Sequence, residues 1–345
     1  MWYKRTIFVL IAELVVLYVL IPGIATADNR PIRTVDIPVE FDGLNSFDAW
    51  SNGYWVMYRR SRTPGLPPQV WSFDREGNVA IPRTDIAVPD AYHCMIHAVA
   101  ADAAGNIILS LELWSHDGKI ETAIAKLTRS RSLSFVSRTD RFLPIALAVA
   151  PAGSIWAFCT SRITPSDPRE DRELVQQFDE NGRLRSSALK QSMFGVPFDP
   201  TVSHNSGGPM VVATSTRTGI YSSGARYWAE FDADGKLRTG FKVQLPVGPN
   251  GETFAEAVGL GMTADDTVYA WFVIRRDLKD TSRPAAGLYR LDRARRTWAA
   301  VSPGLYDSQY GGLYGVDGRH IILRSGCCRY GWFDSHLLQS GQQAP

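Results

Sequence analysis

Five arginines, Arg59, Arg162, Arg217, Arg275 and Arg324, each stand where an apolar run gives way to a polar segment. A guanidinium is a planar fork that matches carboxylate and phosphate. A ring of them would form a positive funnel for an anionic small molecule, an acidic glycan or an acidic protein partner. Taken singly, each reads rather as a solvated loop tip with local ion pairs. His93-x-x-x-His97 offers two imidazoles. Four apart on a strand they face the same way but lie about 13 Å apart, so they share a metal only where the chain bends. Either one, or His204 beside Asn205, suits a general base at the mouth of a cavity. Glu252, Glu256 and Asp48 are carboxylates of the kind that calcium gathers in sets of about six to eight oxygens, but they read first as solvated loop acids. There is no G-x-S-x-G, P-loop, H-E-x-x-H or C-x-x-C. The expectation is a binding module without chemistry of its own. The alternative is a metal-dependent hydrolase or lyase acting through Glu256, His97 or His204. The residues assign no metal site and specify no cofactor.

What positions these side chains is a repeat of roughly fifty residues. One recurring phrase is an aromatic residue, Asp, two residues and Gly: Phe73-Asp74-Arg75-Glu76-Gly77, Phe178-Asp179-Glu180-Asn181-Gly182 and Phe231-Asp232-Ala233-Asp234-Gly235. Asp bonds its own backbone and Gly takes a positive φ, so each reads as strand, tight turn, strand. A second phrase is a small or apolar run, a turn and a strongly apolar strand. Its turns fall at Gly53, Gly105, Gly153, Gly208, Asp266 and Gly318. Six turns mean six units, each of about four short strands, which is the unit of a propeller blade. The last unit offers three strands, and the stretch Arg33–Glu40 is an orphan strand. The expected fold is therefore an all-β, six-bladed propeller of four-stranded antiparallel blades, closed when Val35–Val39 pairs beside Trp332–Leu337. The second-to-third-strand loops then lie on the face that opens onto the central channel. The five arginines sit on that face, at the exits of second strands.

The phrases Ala148–Phe158 (AVAPAGSIWAF) and Gln177–Ser187 (QFDENGRLRSS) resemble those of six-bladed NHL-repeat and gluconolactonase-like propellers. The likeness covers most of residues 33–338 as short phrases, without the full NHL signature. It implies the fold. In lactonase-like members a metal is held at the channel mouth by carboxylate and Asn side chains, and no position here is matched to those.

Composition and charge set outer bounds. The chain has 345 residues with 37 Lys plus Arg against 35 Asp plus Glu, and a net charge of +2 gives no footing for nucleic acid. Lys4 and Arg5, an apolar run from Ile7 to Leu20, Pro22-Gly23 and Ala25-Thr26-Ala27 read as a secretory signal peptide cut after Ala27. The competing reading is an uncleaved anchor over residues 7–24, which Glu13 disfavours. Residues 28–345 then form a single exported domain, periplasmic or extracellular, meeting a membrane only if the leader is retained. Eight of the ten tryptophans, Trp55, Trp71, Trp114, Trp156, Trp228, Trp271, Trp298 and Trp332, are expected on strands or at their ends, filling the wedges between blades, a carbohydrate-stacking role requiring several to be exposed on one face. Of the four cysteines, the adjacent Cys327 and Cys328 suit a vicinal disulfide, a free or intermolecular thiol pair, or bridges to Cys94 and Cys159.

Overall fold

The computed structural model describes residues 31–37, 46–61, 66–139, 142–161, 171–194, 209–247, 254–275, 285–301, 310–325 and 328–339. The leader, Arg162, His204, Glu252 and Cys327 lie outside the described residues. Among the described residues no helix is long and apolar enough to cross a membrane.

Six four-stranded antiparallel sheets form the blades of a propeller. After β1 (Arg33–Asp36), blade 1 is β2 (Ser46–Ser51), β3 (Tyr54–Arg59), β4 (Gln69–Asp74) and β5 (Val79–Asp85). Blade 2 is β6 (His93–Ala101), β7 (Ile107–Trp114), β8 (Ile120–Leu127) and β9 (Leu133–Arg138). Blade 3 is β10 (Phe142–Val149), β11 (Ile155–Ser161), β12 (Glu173–Phe178) and β13 (Leu184–Lys190). Blade 4 is β14 (Met210–Ala213), β15 (Arg217–Ser222), β16 (Tyr227–Asp232) and β17 (Leu237–Lys242). Blade 5 is β18 (Phe254–Met262), β19 (Val268–Arg275), β20 (Ala285–Asp292) and β21 (Thr297–Ala300). Blade 6 is β22 (Tyr310–Asp317), β23 (His320–Ser325) and β24 (Arg329–Asp334), completed by β1.

The ring closes as the orphan strand predicts, with a shifted register. Val35 pairs with Tyr330 and Arg33 with Trp332, so the partner segment is Arg329–Trp332. The chain turns helical at Ser335–Gln339, where Asp334 Oδ1 accepts the His336 N–H at 2.9 Å and starts the turn. Arg329 donates to Asp36 at 2.8 Å, and Ile37 N–H donates to the Cys328 carbonyl.

The core is six seams. Each cluster of buried apolar side chains draws on two neighbouring blades, because alternate residues of a middle strand point to opposite neighbours. On β7, Ile107, Leu109, Leu111 and Leu113 face blade 1, while Ile108 faces blade 3. Trp55, Trp156, Trp228 and Trp271 are fully buried in these seams, as wedge fillers should be.

The Asp turns are self-contained. Asp74 Oδ1 accepts the N–H groups of Glu76 and Asn78, and Asp102 Oδ1 those of Ala104 and Asn106. Burial would raise the Asp102 carboxyl, but hydrogen bonds from Asn106 and Lys126 outweigh it and hold the group below its ordinary value.

Blade 4 departs from the expected register. Met210–Ala213 is its innermost strand, not its second, and the turn is Thr214–Thr216, not Gly208. Thr214 Oγ1 accepts the N–H groups of Thr216 and Arg217, so this turn forms without glycine. Bridges joining Cys327 and Cys328 to the other two cysteines are also overturned, since Cys94 and Cys159 are both buried free thiols.

Candidate functional site

The six innermost strands enclose a central channel, a cavity of about 710 Å³. That lies within the range of roughly 300–1,000 Å³ typical of small-molecule sites. Its wall is mainly small and apolar: Ala49, Ala98, Val99, Leu147, Met210, Val212 and Leu260 contribute.

Four inner strands carry a β-bulge at the same level. The ladder skips from Ile96 to Ala98 in β6, Pro144 to Ala146 in β10, Ala257 to Gly259 in β18 and Leu313 to Gly315 in β22. The extra residues are His97, Ile145, Val258 and Tyr314, and all four line the channel. A bulge bends the strand and re-aims the unpaired side chain. In a ring of six, blade 2 faces blade 5 and blade 3 faces blade 6. The bulges therefore stand as two opposed pairs, His97 across from Val258 and Ile145 across from Tyr314.

Cross-ring bonds brace the end of the channel where the first-to-second-strand turns lie. Asn52 (φ +48°) and Gly53 (φ +88°) form the two-residue turn of blade 1, the conformation that Asn-Gly favours. From there Asn52 Nδ2 donates to the Ala101 carbonyl of blade 2 at 2.8 Å and the Val149 carbonyl of blade 3 at 2.9 Å. Ser51 Oγ also donates to Ala101 O, and Trp50 Nε1 donates to Val316 O of blade 6 at 3.0 Å. Replacing Asn52 with alanine removes two carbonyl contacts and puts a β-carbon into left-handed backbone. We expect a loss of about 2 kcal/mol in urea unfolding, and about half that for Asn52→Gly, which keeps the turn. An Asn52→Ala midpoint equal to wild type would contradict the brace.

The sequence-selected residues separate on this frame. Arg59 ends β3, Arg275 ends β19 and Arg324 is the penultimate residue of β23, so these three backbones reach the expected face. Arg324 lies over the Tyr314 ring at 5.2 Å and donates to its hydroxyl. Arg217 is a correction. It begins β15 rather than following a second strand, because blade 4 is shifted, and so lies at the opposite end. It bonds Glu230 at 2.9 Å and Asp266 at 3.0 Å, while Arg293 holds the other Glu230 oxygen and the Asp266 carbonyl. Trp228 Nε1 also donates to Glu230, and Thr214 donates to Asp266. Arg217 thus clamps blade 4 to blade 5.

His93 sits at the rim, its ring 5.0 Å from Trp114 and 6.2 Å from Tyr92. His97 is turned by its bulge onto Glu112 of β7, Nε2 to Oε2 at 3.2 Å, with both side chains at 2% exposure or less. The two histidines therefore have different neighbours. Tyr58 Oη, Arg60 Nε and Arg60 Nη2 all donate to the carbonyls of Ile96 and His97 across the seam. Glu256 is buried on β18 of blade 5, the blade opposite His97. Among the described residues no three His, Cys, Asp or Glu side chains gather as metal ligands. Burial pushes the Cys94 thiol up to about 12 and the Cys159 thiol higher still, which removes both as nucleophiles at neutral pH.

Sequence reasoning missed Ile145, Val258, Tyr314 and Asn52, and it singled out His97 without its bulge. Signals were present: Asn52-Gly53 is a turn dipeptide, and Ile145, Val258 and Tyr314 each adjoin a Pro or Gly inside a strand, a mark of bulges.

No protein-family description matches this chain, and no curated protein does. Solved structures with similar chain paths include a Dyadobacter fermentans protein of unknown function, at 11% identity and TM-score 0.49, covering 88% of this chain and 98% of that one. A member of the DUF4221 family from Bacteroides vulgatus is 8% identical with TM-score 0.46, covering 88% and 96%. The β-propeller domain of the Trilobed protease from Pyrococcus furiosus is 11% identical with TM-score 0.41, covering 81% and 77%.

Proposed function

We propose that this chain is a ligand-binding propeller, without chemistry of its own, that receives an anionic ligand at the end of the channel reached by Arg59, Arg275 and Arg324. The observation that carries this reading is the channel wall. Among the described residues most of its side chains are small and apolar, and the one imidazole that lines it, His97, is engaged with Glu112 and almost fully buried. General acid or base work needs a group within reach of a substrate proton. The likeness to NHL-repeat and lactonase-like propellers supports the scaffold, and ligand classes within that reading are an anionic small molecule, an acidic glycan or an acidic protein segment.

Retention of the full chain on phosphocellulose at low salt tests the charge. Elution by added salt is expected, since attraction between exposed charges is screened over about 8–10 Å at physiological ionic strength. The double variant Arg59→Ala, Arg324→Ala should bind roughly tenfold more weakly, about 1.4 kcal/mol. Retention that ignores salt, or is unchanged in the double variant, would remove the anionic face.

A further inference from the structure

The four bulges give the channel a chemical character beyond its charge. Val258 is 49% exposed although it is apolar and lies on an inner strand, and Ile145 and Tyr314 are partly buried on the same channel lining. Strand alternation alone would not place these side chains here; the skipped register does. Above this belt Arg324 lies on Tyr314, and Arg60 lies behind the His97 carbonyl. Below it Leu147, Val212 and Leu260 continue the apolar side of the lining, which gains the polar side chains Ser51, Asn52, Thr214 and Ser215 at the braced end. There Asp317, the one carboxylate on the channel lining among the described residues, is 3.6 Å from Arg75.

From this arrangement we infer that the channel takes an organic anion with an apolar body, an aryl or alkyl carboxylate or sulfonate, entering body first. The body lies against Ile145, Val258 and Leu260. The acidic head stays at the level of Tyr314 and Arg324. Burying an apolar body against such a wall contributes roughly 25 cal/mol per Å², and the cationic end sets the orientation. A strongly hydrated anion such as phosphate or a sulfated sugar gains nothing from the belt. The inference rests on the proposed ligand-binding reading and narrows it to one ligand class.

The test uses the full chain with two fluorescent probes, 8-anilinonaphthalene-1-sulfonate and the uncharged N-phenyl-1-naphthylamine. The sulfonate should bind with one-to-one stoichiometry and a blue-shifted emission. Val258→Glu places a carboxylate inside the belt at a position already exposed, so the fold tolerates it. It should weaken both probes at least tenfold, while circular dichroism and the urea midpoint stay at wild type. Ile145→Glu should also weaken both probes and guards against a local fault at Val258; because Ile145 is partly buried against the seam of blades 3 and 4, its urea midpoint is expected to fall while circular dichroism stays at wild type. Arg324→Ala should weaken the sulfonate alone. Equal binding of both probes to wild type and to both glutamate variants would overturn the apolar chamber, as would no binding to wild type at 100 µM probe. If the glutamate variants lose both probes but Arg324→Ala leaves the sulfonate unchanged, the chamber stands and the anionic part of both proposals falls.

Discussion

His97→Ala is expected to cost about 3 kcal/mol of stability, measured as a lowered urea midpoint with an unchanged slope. The imidazole and Glu112 lie 3.2 Å apart at the junction of blades 2 and 3, and both are almost wholly removed from water. Truncating one member of such a pair leaves the other polar group desolvated beside a void; for a buried ion pair that is typically worth about 3–5 kcal/mol. Glu112 lies on the strand face that turns away from blade 1, among Ser110, Thr122 and Thr139. There are thus nearby polar groups to soften the loss, and we place it at the lower end. The double change His97→Leu, Glu112→Leu should recover much of it, because an apolar pair of similar volume needs no solvation. A single-variant loss under 1 kcal/mol would show that the pair is not structural, and would reopen a chemical role for His97.

Gly259→Ala is expected to be as severe, about 3 kcal/mol. A β-carbon at Gly259 would stand 2.1 Å from the Leu313 carbonyl oxygen of blade 6. The obstacle is backbone, so no rotamer change relieves it and the two inner strands must part. Gly312 is the matched control: on the inner strand of the next blade, with nothing within 4 Å of its would-be β-carbon. Gly312→Ala should fall within about 0.5 kcal/mol of wild type. If the two alanine variants unfold at the same urea concentration, blades 5 and 6 are not packed backbone against backbone at Gly259 and Leu313.

The ring was legible because its signals are local and repeated. Asp-x-x-Gly turns require particular side chains at particular positions, and they recur in blades 1 to 4, at Asp74–Gly77, Asp102–Gly105, Asp179–Gly182 and Asp232–Gly235. The missing fourth strand of blade 6 could be counted, so closure by Arg33–Asp36 followed from bookkeeping of strands. The error in blade 4 has the same origin. Its turn is held by the Thr214 hydroxyl rather than by glycine, and a search keyed to glycine steps over it. That slip moved Arg217 from one end of the molecule to the other. The bulges were less legible, since a skipped pair depends on the partner strand as much as on the bulged one. His97 shows this most sharply. Nothing adjoining it in sequence marks a bulge, and its partner Glu112 is fifteen residues away on the next strand.

The sixth sheet is assembled from both extremities of the folded region. During synthesis β1 leaves the ribosome first and its partner β24 last, so blades 1 to 5 can assemble in order while β1 still has no neighbour to pair with. Joining two points nearly three hundred residues apart costs only logarithmically more chain entropy than joining nearer ones. Circularisation is therefore a late and separate event in the life of this polypeptide, and a nascent chain stopped before Arg329 carries an unzipped edge on its final sheet.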